Sequence, residues 1–195
     1  MSAPQSERRP ASIGYASCQA SAHRYADQLS SIVVPDITQP LAYFQAIRGA
    51  KFVVHVASPI SCPNLTTEED YHEHIIRPAM RGTTNLLEAA HCAKRVKRVV
   101  ITGSLISIVS KKKILNSGAP IDENTLDVDL NGSINQSNAY IRSKALAFAA
   151  IRIVMAEKRP QFTVGNILTV LILGRDDTFT DVTTIRFKGA NSLLL

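Results

Sequence analysis

The run NAYIRSKALAFAA, residues 138–150, sets a tyrosine four residues ahead of a lysine inside an otherwise Ala-rich, apolar stretch. On a helix of about 3.6 residues per turn, positions four apart stack on one face, so Tyr140 and Lys144 point the same way. An ammonium beside a phenol favours the phenolate and is expected to lower the tyrosine pKa from its ordinary value of about 10. A tyrosine tuned in that way can give a proton to a carbonyl oxygen as hydride arrives, or remove one in the reverse direction. A serine hydroxyl at a neighbouring strand end would hold that same oxygen, and Ser104, closing VKRVVITGS (96–104), is the candidate.

Positioning these groups requires strands that end beside the helix. SIVVP (31–35) is a β-branched run stopped by Pro35 and reads as a strand. PLAYFQAI (40–47) opens with a proline, a favoured first helical residue, and ends at Gly49, so it reads as a helix. KFVVHVAS (51–58) and residues 96–104 read as strands buried on both faces, and FTVGNILTVLIL (162–173) as a fourth. A helical segment over 68–93 holds Pro78, which should kink or divide it. The Tyr/Lys helix spans about 138–157, ahead of Pro160, and the polar, turn-rich residues 110–137 read as a long surface loop. A short helix is expected in 19–30. Strands alternating with helices predict an α/β fold with a doubly wound parallel sheet. Ligands of such sheets sit beyond the carboxyl ends of the strands, which singles out Asp36, Ala57-Ser58, Thr102-Gly103-Ser104 and the stretch before Gly174.

Composition agrees with a folded domain. Apolar residues make up 45% of the 195 and charged residues 19%. The net charge of +6 is concentrated in Lys94-Arg95, Lys97-Arg98 and Lys111-Lys112-Lys113, which lack interleaved aromatics and read as solvated surface, with no nucleic-acid partner. Cys18, Cys62 and Cys92 fall in no metal-binding spacing, so no metal is expected and the thiols are expected reduced. No apolar run approaches the ~20 residues of a bilayer span, and the first residues hold no apolar core of a secretory signal. The expectation is a cytoplasmic protein that does not meet the membrane.

Tyr140-Ile141-Arg142-Ser143-Lys144 matches the YxxxK motif of the short-chain dehydrogenase/reductase superfamily. With VPDIT (34–38), VVHVASP (53–59), IIRPAMRGTTNLLEAA (75–90) and VKRVVITGS (96–104) in order, the chain resembles its extended branch over roughly residues 30–174. These are the NAD(P)-dependent epimerase/dehydratase-like reductases, which include dihydroflavonol reductases and fungal methylglyoxal or aldehyde reductases. The resemblance implies that Ser104, Tyr140 and Lys144 are catalytic and that Lys144 also binds the nicotinamide ribose. It places Asp36 and Ile37 beside an adenine ring, Val56, Ala57 and Ser58 along the cofactor, and Thr102 at the same strand end. His55 and Asn85 match residues read as structural. The implied cofactor is NADPH or NADH, and the implied partner is a small-molecule carbonyl compound, with a role in secondary metabolism.

The pattern is incomplete. The family's Gly-rich turn, GxxGxxG, which lays backbone N–H groups against the diphosphate, has no counterpart here. The expectation is therefore a partial Rossmann-like sheet over 19–174 lacking the first strand, with an uncovered apolar face and no complete substrate domain. Residues 1–18 and 175–195 are expected to be irregular. Gly103 stands where a serine is usual, Phe148 where a glutamate is common, and Thr169-Val170 where two prolines shape the nicotinamide loop. Three functions are compatible with these residues: carbonyl reduction, a catalytically inactive relative acting as a binding protein, or epimerase/dehydratase chemistry on a nucleotide sugar.

Overall fold

The computed structural model of the chain describes residues 27–59, 64–110, 113, 120–122, 124–170 and 172. Its contacts divide the chain into a unit Val34–Val170 and a second unit formed from Met1–Val33 and Leu171–Leu195. In the second unit, Asp27 and Gln28 form a short 3-10 turn, and Ile32 and Val33 are exposed. The irregular ends expected at 1–18 and 175–195, and most of the short helix expected in 19–30, lie outside the described residues.

The larger unit is built on three parallel strands in the order β1-β2-β3: β1 Phe52–His55, β2 Arg98–Ser104 and β3 Thr163–Thr169. Register aligns Val53 with Val99 and Val99 with Val164, then His55 with Ile101 and Ile101 with Asn166. Because side chains alternate across a sheet, these two rows share one face. That face receives two helices, α2 Arg77–Cys92 and α3 Ala139–Lys158, which also pack on each other. Leu86, Leu87, Ala89 and Ala90 from α2 and Ile151 and Val154 from α3 close over Val99 and Ile101, with Tyr43, Ile47, Val96 and Phe162 at the margin. Leu87, Val96 and Val99 are fully buried, and each such aliphatic side chain contributes about 1.5–3 kcal/mol.

The opposite face of the sheet is open among the described residues. Phe52 and Val54 are 71% and 69% exposed, and Val56 and Ile167 are exposed beside them. The apolar run in 51–58 therefore does not mark a strand buried on both faces, whereas the uncovered apolar face agrees with expectation.

Two elements expected from the sequence do not form. Residues 31–34 are irregular, because a strand exists only by pairing and no described strand pairs with them. Residues 40–49 are a chain of turns: Ala42 bonds back to Gln39, Phe44 to Leu41 and Arg48 to Gln45. A helix cannot run through Leu41, whose φ is 64°. The segment does end at Gly49, with φ 79°, as the sequence indicated.

The helix over 68–93 is broken ahead of Pro78. It starts as α1, Glu68–Tyr71, widens into a π turn at His72–Ile76, and continues as α2 with Pro78 in its first turn. The proline ring has no N–H and would press on the carbonyl of His74, which lies inside that π turn. Thr67 caps α1 by accepting from the Asp70 amide, while Asp70 accepts from the Thr67 amide. The start of α3 is organised by Asn135, whose Oδ1 accepts from the Ser137 hydroxyl and amide and the Asn138 amide. Its end is set by Arg159, in the left-handed region, followed by Pro160.

Candidate active site

The carboxyl ends of β1 and β2 and the N-terminal half of α3 meet at Lys144. Its Nζ donates to Ser58 Oγ at 2.8 Å, joining α3 to the loop that leaves β1. The same Nζ stands over the Tyr140 ring, 5.3 Å from its centroid, so the helical spacing does bring the two side chains together. Half-burial penalises the charged amine and lowers the Lys144 pKa from its ordinary value.

The effect on Tyr140 is the reverse of the one expected. Its pKa is raised above 10.0 by burial, with no lowering contribution from Lys144. The ammonium stands over the face of the ring, where it meets the aromatic quadrupole. Tyr140 is thus a protonated phenol at neutral pH, the state a proton donor requires.

Beneath Lys144 lies a cavity of about 30 Å³, lined among others by His55, Ser58, Thr83, Ser107, Phe148 and Asn166. It has room for about two waters and no more. Thr83 and Ser107 spend their hydroxyl protons on the carbonyls of Ala79 and Ser104, at 2.9 and 2.6 Å. His55 is buried edge-on against Tyr43, with centroids 5.9 Å apart. Its pKa is lowered, first by burial and then by the nearby Lys144 charge. His55 is a packed core residue, as read from the sequence.

Of the residues singled out by sequence, Ala57, Ser58, Thr102 and Lys144 line this cavity together. Tyr140 and Ser104 do not line it. Ser104 is buried at the end of β2, directly before the 3-10 turn Leu105–Ser107 against which α3 packs. Val56 is exposed on the open side of the sheet. Asp36 and Ile37 stand apart, against α2. The Asp36 carboxylate accepts from Gln39 Nε2 and from the Thr38 hydroxyl and amide, and these bonds lower its pKa. Ile37 packs on Gly82, where a Cβ would come within 2.7 Å of its Cδ1. The Ile37 carbonyl and that of Gln39 each accept from Asn85 Nδ2 at 2.9 Å, which makes Asn85 a structural clamp.

Sequence reasoning missed Asn166. Its Oδ1 is buried without a hydrogen-bond partner and stands where a side chain on Gly103 would be. The signal was available: a lone amide at the inward-facing centre of an apolar strand.

A nucleotide ribose suits the donors present, since the Lys144 ammonium and the Ser58 hydroxyl converge at the strand ends. The first turn of α1 carries Glu68, Glu69 and Asp70, so that helix N-terminus repels a diphosphate. Among the described residues, no helix is long and apolar enough to cross a membrane, and no His, Cys, Asp and Glu group could hold a metal.

Comparison with known proteins gives the family of the chain. An NAD-dependent epimerase/dehydratase from Alternaria alternata, ALT6, is 35% identical over 154 residues, covering 76% of this chain and 42% of that protein. Aldehyde reductase 2 of Sporidiobolus salmonicolor is 31% identical over 160 residues, covering 77% and 45%. The crystal structure of yeast methylglyoxal/isovaleraldehyde reductase Gre2 with NADPH superimposes with a TM-score of 0.70 at 25% identity, over 81% of this chain and 48% of that one. The chain thus spans under half the length of these relatives. The family described as NAD dependent epimerase/dehydratase matches residues 9–185, and the chain belongs to it.

Proposed function

We propose that the chain serves the reduction of a ketone or aldehyde on a small molecule by NADPH or NADH. The observation that carries this reading is the half-buried Lys144, bonded to Ser58 and stacked over Tyr140 at the carboxyl ends of parallel strands. Tyr140 gives its proton to the carbonyl oxygen. Lys144 then stabilises the phenolate left behind, and the Ser104 hydroxyl donates to the same oxygen and orients it. Lys144 and Ser58 would hold the cofactor ribose, with Asp36, Ile37, Val56, Ala57 and Thr102 along the remainder. A reduced nicotinamide, when bound, supplies hydride. The names of the aldehyde reductase and of the ketoreductase CTB6 of Cercospora nicotianae support carbonyl reduction as the reaction class. A cytoplasmic setting and a place in secondary metabolism belong to the same proposal.

A second reading, a family member that keeps the site without turnover, is favoured by Tyr140 and Ser104 lying outside the cavity that Lys144 lines. Titration with NADPH and with NADH, followed by nicotinamide fluorescence, separates the two. Saturable binding, with carbonyl reduction abolished in Tyr140→Phe at nearly unchanged cofactor affinity, supports the reductase. No saturable signal at millimolar cofactor, a high concentration for a specific site, supports the inactive relative.

A further inference from the structure

We propose that Ser58 is a positioning residue, whose hydroxyl oxygen holds the Lys144 ammonium over Tyr140. A lysine is a point charge on a flexible four-carbon stem, and its three N–H groups do not fix its direction without an acceptor. Among the described residues, Ser58 Oγ is the one hydrogen-bond acceptor engaged by Lys144, across 86 residues of sequence. Ser58 is well suited to the task because Pro59 comes next, and a residue before proline is confined to extended backbone. The ammonium thus has two neighbours, the serine oxygen and the face of the Tyr140 ring.

A competing acceptor stands nearby. Asn166 lines the same cavity as Lys144, and its Oδ1 is buried without a donor. With Ser58 removed, this uncommitted acceptor draws the ammonium toward the sheet and away from the phenol. Ser58 thus acts on the chemistry through Lys144. This role rests on the reductase reading for its kinetic consequence, but its structural part stands alone.

The test therefore has a readout that needs no turnover. Lysine-ammonium 15N NMR of the full chain, with the Lys144 signal assigned by Lys144→Arg, follows the side chain directly. Ser58→Ala is expected to shift or broaden that signal, while Ser58→Thr, which keeps a hydroxyl, leaves it in place. Should Ser58→Ala fold poorly, Ser58→Cys gives the same reading, because a thiol is a weak acceptor. Where the wild-type chain turns over, Ser58→Ala lowers kcat by about tenfold, the scale of one charge-assisted hydrogen bond, at little change in the KM of the carbonyl compound. Threonine restores it. An unmoved Lys144 signal in Ser58→Ala overturns the proposal, whether or not kcat falls. Absence of turnover in the wild type instead counts against the reductase reading and leaves the NMR outcome to decide the role of Ser58.

Discussion

Asn166 occupies the space that a side chain on Gly103 would need. A Cβ at position 103 would lie 2.3 Å from Asn166 Oδ1 and 2.8 Å from Leu168 Cδ2, both on the neighbouring strand. Glycine at 103 and the amide at 166 are therefore fitted to each other. Gly103→Ser is expected to destabilise the fold by about 1–3 kcal/mol, the range for overpacking a filled interior. Asn166→Ala in the same chain should recover most of that loss. Urea denaturation of the single and double variants measures the coupling, and strictly additive losses would contradict it.

Asn85 offers a second quantitative test. Its Nδ2 bonds the carbonyls of Ile37 and Gln39, which lie 48 and 46 residues earlier, and so ties the turns after Pro35 to α2. Asn85→Leu keeps the approximate volume and removes both bonds. The expected cost is about 1–3 kcal/mol, from about 0.5–1.5 kcal/mol for each of the two part-buried hydrogen bonds lost. Hydrogen exchange should rise across residues 36–49 more than in β2. Uniform exchange across both would mean that Asn85 does not hold that segment.

The same contrast explains what the sequence could disclose. β1 and β2 were legible as apolar, β-branched runs and the Tyr/Lys helix as an Ala-rich stretch, whose ends Asn138 and Pro160 marked closely. The strand expected at 31–35 failed because propensity says nothing about whether a partner is present to pair. The helix expected at 40–47 failed at Leu41, whose positive φ no local pattern announces. At the site, helical spacing placed Lys144 beside Tyr140, but spacing fixes only which residues meet. The Lys144 ammonium is bonded to Ser58, 86 residues away, which no local spacing announces, and it is burial that raises the Tyr140 pKa.

The direction of that shift is measurable. Burial raises the Tyr140 pKa above 10.0, so its ionisation should fall on the alkaline side of an ordinary tyrosine. A tyrosinate absorbance titration of the wild type minus that of Tyr140→Phe isolates this one group. In a reductase the protonated phenol and the charged Lys144 are the active forms, so the reduction rate should hold constant through neutral pH and decline on the alkaline side. A difference titration centred below 10.0 would show that Lys144 reaches the hydroxyl after all.

Acid should act on the fold through His55. This side chain is buried and its folded pKa lies below the ordinary 6.5, first because of burial and then because of Lys144. Between the folded value and 6.5, the unfolded chain binds a proton that the native state refuses, so stability increases with pH across that window. The contribution is complete above 6.5 and is lost progressively as pH falls toward the folded value. Urea midpoints across this range should therefore drop on acidification. His55→Asn should be weaker at neutral pH, since it gives up the ring contact with Tyr43, yet it should lose less on acidification because position 55 no longer titrates. If the two proteins lose stability in parallel, the acid sensitivity arises elsewhere. Substitution removes the titration and the packing together, and only the titration depends on pH, so the slope against pH isolates the imidazole.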